Sequence, residues 1–158
     1  SMMHINNLKK YYFINEFNYT HLINLNKNIS FIWRNKDKET PINTLIKLRD
    51  FCKKNQRNFY ISNNVKLAER LKANGVYISS FNKNLNLRTN KFKKKFKILG
   101  SAHNLNEIKI KELQNIDEIF RNVSESENPK FEIVIGKSNN ADAKIAGITP
   151  AILIFNGR

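Results

Sequence analysis

Arg34 and Lys36 lie two residues apart, directly after the apolar run Ile29-Ser30-Phe31-Ile32-Trp33. In an extended chain, side chains at i and i+2 share a face, so a guanidinium fork and an ammonium can point the same way. Together they form a cradle for phosphate or pyrophosphate. A solvated cation pair in a lysine-rich chain is the alternative. Ser101 and His103 follow a second apolar run, Ile98-Leu99-Gly100, just ahead of a helical pattern. A hydroxyl there can bond a phosphate oxygen. An imidazole, whose ordinary pKa lies near neutrality, can act as general acid or base. The alternatives are a small residue in a tight turn and a histidine that caps or packs against the helix. Other reactive types suggest little. His4 and His21 lack partners at metal-ligand spacing. Cys52 falls on the apolar side of a helical pattern and reads as core.

Such groups need strand ends to hold them. Residues 11–14, 29–33, 58–62, 76–78, 97–100 and 117–120 read as strands, being short, apolar and rich in aromatic and β-branched types. Between them come a brief helical or irregular crossover at 19–25 and a helix started by Pro41. In that helix Ile42, Leu45, Ile46, Leu48 and Phe51 recur near the 3.6 period. A helix over 65–73 has Gly75 just beyond its end, 85–96 reads as helix or loop, and 105–113 reads as helix. Strict β-then-helix alternation predicts an α/β fold with a parallel sheet and right-handed crossovers. In such folds ligands bind at the carboxyl ends of the strands, where Arg34, Lys36, Ser101 and His103 fall.

After Phe120 the character changes: 124–129 is polar and acidic, 131–135 and 151–155 read as strands, and 136–149 is small and polar. This segment reads as a final β-α-β portion, a dimerisation arm or sequence foreign to the rest. Ser1-Met2 reads as a tag remnant, 3–120 as six βα units, and 121–158 as an atypical segment that completes the barrel or mediates dimerisation. A complete (β/α)8 barrel typically takes about 250 residues. This chain has 158. The expectation is a TIM-barrel-like fold, incomplete or with an atypical C-terminal portion, whose open parallel edges would favour a homodimer.

The net charge is +15, and residues 1–97 hold 21 Lys and Arg against 5 Asp and Glu. Such an excess suits polyanions or phosphorylated substrates, or simply a composition rich in Lys, Asn and Ile. Aromatics do not interleave with it in a nucleic-acid motif, so a basic nucleic-acid-binding module rests on charge alone. Lys93-Lys94-Lys95 reads as a solvated face. No apolar run approaches a membrane span, and the single Cys52 suits a reducing, cytoplasmic setting.

The strand ends resemble those of the thiamine-phosphate synthase and TenI family of (β/α)8 barrels. That family ends strand 2 in Gln-x-Arg-x-Lys, and Ile32-Trp33-Arg34-Asn35-Lys36 keeps the Arg and Lys. Its strand 3 ends in Asn-Asp-x-x-x-Leu-Ala, and Ser62-Asn63-Asn64-Val65-Lys66-Leu67-Ala68 keeps the frame. Its strand 4 reads Gly-Val-His-Leu-Gly-Gln-x-Asp, against Gly75-Val76-Tyr77-Ile78-Ser79-Ser80-Phe81-Asn82 here. Its strand 5, Ile-Gly-x-Ser-x-His with a later Glu, is followed closely by Gly100, Ser101, Ala102, His103 and Glu107.

The resemblance implies binding of a thiazole phosphate or pyrimidine pyrophosphate. Arg34, Lys36 and Ser101 would lie on the phosphate, and Asn63, Asn64 and Tyr77 in the substrate site. It also implies Mg²⁺, which needs hard oxygen ligands with one or two carboxylates. Both metal positions are amides here, Asn63 and Asn82, so Mg²⁺ binding is expected to be weak or absent and catalysis degenerate. Asn63 and Asn64 can equally serve only to turn the chain into the helix. TenI-like isomerisation of a thiazole phosphate needs no metal, but the family's histidine beyond strand 6 has no counterpart near Arg121-Asn122.

Overall fold

A computed structural model of the chain describes residues 10–35, 39–88 and 95–120, with the backbone of 121, 132–136 and 151–156. The strands are β1 (Lys10–Ile14), β2 (Ile29–Trp33), β3 (Phe59–Ser62), β4 (Gly75–Ile78), β5 (Lys97–Ala102), β6 (Glu118–Arg121), β7 (Glu132–Gly136) and β8 (Ala151–Asn156). The helices are α1 (Tyr19–Ile23), α2 (Ile42–Lys54), α3 (Val65–Arg70) and α4 (Leu105–Leu113). Strands β1 to β6 pair in parallel and in chain order, curling into an incomplete TIM-barrel-like fold. The final two strands pair antiparallel, β6 with β7 and β7 with β8, and β8 returns parallel to β1 to close the ring. The open edges from which a dimer is expected are thus paired within the chain. Among the described residues no helix is long and apolar enough to cross a membrane.

Both faces of these strands are buried, which is why they read as continuous apolar runs. With period 2, Tyr11, Phe13, Ile32, Tyr60, Tyr77, Leu99 and Phe120 turn inward and form one cluster inside the barrel. Aromatic rings fill it: Phe13 meets Tyr77 at 5.2 Å between centroids, and Phe120 meets Tyr11 at 5.3 Å and Tyr77 at 5.5 Å. The alternate residues, among them Phe31, Trp33, Ile61, Val76 and Ile98, pack outward against the helices. In α2 the buried side chains are Leu45, Leu48, Phe51 and Cys52, whereas Ile42 is exposed.

The crossover from β4 to β5, read as helix or loop, contains no helix among its described residues. The helix predicted over 65–73 stops at Arg70, and Lys72 rather than a glycine takes the left-handed turn, at φ 54°. Gly75 instead opens β4, where an added Cβ would overlap the Lys97 carbonyl oxygen. The last two strands form an antiparallel pair rather than belonging to parallel βα units. Lys93 and Lys94 lie outside the described residues.

Candidate functional site

The carboxyl ends of β2 to β5 bring Arg34, Asn63, Asn82 and Ser101 to one mouth of the barrel. Arg34 continues β2, its backbone N–H bonded to the Ile14 carbonyl at 2.8 Å. Its guanidinium carbon lies 3.7 Å from the Phe13 ring centroid. Such a cation–π contact contributes about 0.5–1 kcal/mol at an exposed site and keeps the guanidinium over the Phe13 ring. Phe13 was not among the sequence candidates. Its inward position in β1 was the available signal. Lys36 lies outside the described residues. The loop leaving Arg34 is tied by Trp33, whose indole N–H donates to Asn35 Oδ1 at 2.6 Å.

Asn63 sits between β3 and α3 at φ 58°, a left-handed position that asparagine tolerates. There its amide oxygen accepts from the Ser79 backbone N–H at 3.0 Å and from Asn82 Nδ2 at 3.1 Å, while its own Nδ2 donates to Ser79 Oγ at 2.8 Å. The structure therefore joins Asn63 and Asn82 through an amide network that includes Ser79, which sequence reasoning missed. Asn64 does different work: its side chain caps α3 by accepting from the Leu67 N–H at 3.0 Å.

Ser101 is buried and accepts from the Tyr77 hydroxyl at 2.8 Å. Tyr77 itself is enclosed in the barrel. His103 is half-buried on the turn after β5, and the helix that follows is capped by Asn104, which accepts from the Glu107 N–H at 2.9 Å. Of the remaining candidates, His21 bonds the Tyr12 hydroxyl through Nε2 at 2.9 Å. Cys52 is buried, and burial pushes its thiol up to about 12, which leaves it unreactive. His4 lies outside the described residues.

Lys111 of α4 holds the loop that carries Asn82. Its side chain is fully buried, and Nζ donates to the Asn82 carbonyl and to Gln114 Oε1, both at 2.8 Å. Gln114 Nε2 donates to the Asn82 and Asn84 carbonyls at 2.8 and 2.9 Å. Burial brings the Lys111 pKa down from 10.5 to about 8, with Glu107 opposing the shift. Below about pH 8 folded and unfolded chains both hold this proton, and the buried charge penalises the fold. Between about 8 and 10.5 the unfolded chain binds the proton more tightly, so this group's contribution to stability rises with pH. Chemical denaturation across that window should show wild type gaining on Lys111→Met. A constant difference between them would refute the buried charge.

Arg34 offers a guanidinium at the end of β2 and Ser101 a hydroxyl at the end of β5, and the amides of Asn63 and Asn82 carry no charge for a dication. The two positions that the resemblance marks as metal ligands, Asn63 and Asn82, carry neutral amides engaged with each other. Among the described residues no group of three His, Cys, Asp or Glu could hold a metal ion. A hard dication calls for carboxylates there.

The family model for thiamine monophosphate synthase matches residues 25–122, well over half of the chain and all of β2 to β6. Among solved structures, the thiamine phosphate pyrophosphorylase from Pyrococcus furiosus is similar at 15% identity and a TM-score of 0.48. The match covers 72% of this chain and 59% of that one, so this chain spans less than two thirds of its length. No curated protein matches the sequence.

Proposed function

This chain belongs to the thiamine monophosphate synthase family, and from that premise we propose that it binds a phosphorylated thiazole or pyrimidine at the mouth of its barrel without Mg²⁺-dependent coupling. The observation that carries the reading is the Arg34 guanidinium lying over Phe13 at the end of β2, in the family's phosphate-binding frame. Arg34 meets the phosphate with a planar fork, Lys36 supplies a second cation, and the Ser101 hydroxyl offers a third contact. The amide pair at 63 and 82 bonds polar atoms of the ligand rather than a metal. Tyr77 orients Ser101 from below.

The same amide pair favours a metal-free second reading, proton transfer on a thiazole phosphate with His103 as the acid or base. Coupling of a pyrimidine pyrophosphate calls for charge neutralisation of the departing pyrophosphate, which these amides do not supply. Titration of thiazole phosphate into the chain in EDTA, repeated with Mg²⁺, is expected to give one and the same affinity. Binding that appears only with Mg²⁺ would overturn the metal-free reading.

A further inference from the structure

A second basic site lies at the opposite end of the barrel. Where α2 and α3 end and β3 and β4 begin, a cleft of about 690 Å³ opens between the helix ends and the strand starts. That volume is in the range of small-molecule sites, about 300–1,000 Å³. Arg49, Lys53, Arg57, Arg70 and Lys72 line it, against the single carboxylate of Asp50, which is paired to Arg49 at 3.0 Å. Helix C-termini attract cations, but two such ends amount to about one negative charge at most. Five cations against one carboxylate exceed that by about three charges.

Arg57 is the fixed element of the site. It is only 5% exposed, and its Nη atoms donate to the Asn26 and Leu25 carbonyls at 2.7 and 2.6 Å. Its Nε is buried with no hydrogen-bond partner, and among the described residues no carboxylate pairs with it. A buried cation with an unused donor beside a cationic cleft is expensive unless an anion offsets it. Lys53, Arg70 and Lys72 are exposed and can close on such an anion.

We propose that this cleft is an anion site for a diphosphate group, separate from the mouth that carries Arg34. The net charge of its lining matches a single diphosphate. With Arg57 Nη held by backbone carbonyls and Arg49 paired to Asp50, the Arg70 guanidinium offers its fork to phosphate oxygens, and Lys53 and Lys72 add point charges. The only aromatic side chain in the lining, Phe59, is buried, so bases of a nucleic acid would find no ring to stack on.

Inorganic pyrophosphate titrated by calorimetry into Arg34→Ala protein, which lacks the other cradle, tests the site. Saturable binding is expected. Adding Lys53→Gln and Arg70→Gln, both exposed positions, should weaken it at least about tenfold. Adding Lys47→Gln and Lys66→Gln, exposed positions outside the cleft, should leave it unchanged. Circular dichroism establishes that each variant is folded. The proposal is overturned if Arg34→Ala protein does not bind pyrophosphate, or if the two pairs of substitutions act alike. It is overturned in favour of a nucleic-acid surface if a short single-stranded oligonucleotide displaces pyrophosphate and binds more tightly.

Discussion

Gly75→Ala is expected to prevent the chain from folding cooperatively. Gly75 opens β4 opposite Lys97 of β5, in direct register. An alanine Cβ there would overlap the Lys97 carbonyl oxygen and stand 2.7 Å from its carbonyl carbon. Those atoms are backbone, so relief requires the two strands to part. Parting them also breaks the next pairs in the ladder, including Tyr77 with Leu99, both part of the barrel interior. Replacing a strand glycine ordinarily stabilises by about 0.4–1 kcal/mol through the unfolded chain. Here the native clash reverses the sign and puts the cost in the exceptional class above about 4–5 kcal/mol. Against a total stability of about 5–15 kcal/mol, that leaves little or no folded protein at 37 °C. Gly100→Ala is the milder comparison, since its Cβ would meet Lys111 Cδ at 3.0 Å, Ile116 Cγ2 at 3.1 Å and the Ile78 carbonyl oxygen at 3.2 Å, contacts that need neighbours to give by only a little. Thermal melts should show Gly75→Ala without a native transition and Gly100→Ala with one. A Gly75→Ala protein melting within a few degrees of wild type would mean that the β4–β5 register is wrong.

The second large effect is a gain of function. Asn63→Asp with Asn82→Asp should raise Mg²⁺ affinity measurably above that of wild type. The two side chains already approach within 3.1 Å, so two carboxylates there would share one ion. Each would attract a dication by about 2 kcal/mol at 4 Å even in water. After the cost of stripping water from Mg²⁺, an affinity gain of at least about tenfold remains. In the absence of metal, like charges this close should destabilise the double variant above the carboxylate pKa range and raise one of the two pKa values. Its melting temperature should therefore climb on adding Mg²⁺ while that of wild type stays put. No difference between them would mean that residues 63 and 82 do not form the metal frame.

Much of the fold was legible because its signals are local. The apolar run Ile29–Trp33 and the helix Leu105–Leu113 match the sequence reading to the residue, although Asn104 and not His103 caps that helix. Gly75 was misread for a physical reason: a glycine after a helical pattern looks like a helix stop, whereas its need arises from a strand 22 residues later. The antiparallel turn at the end of the sheet escaped too, since apolar alternation fixes a strand but not its direction. Lys111 was invisible as well, because a lysine in a polar helix reads as solvated until the Asn82 carbonyl is seen above it. At the site, strand-end placement of Arg34 and Ser101 followed from element order. The contact between Asn63 and Asn82 was reachable only through the family frame, and the Phe13 shelf under Arg34 required the barrel to be closed around it.

Phosphate-ester binding at the Arg34 end of the barrel follows from the proposed function. Calorimetric titration of thiazole phosphate into wild type, Arg34→Lys and Arg34→Ala tests it most directly. Saturable binding by wild type is expected. Arg34→Ala should lose about tenfold to hundredfold, in line with charged hydrogen bonds of about 1.5–3 kcal/mol, and Arg34→Lys should retain part of the affinity. Wild type that does not bind, or an Arg34→Ala protein that binds as well as wild type, would contradict it.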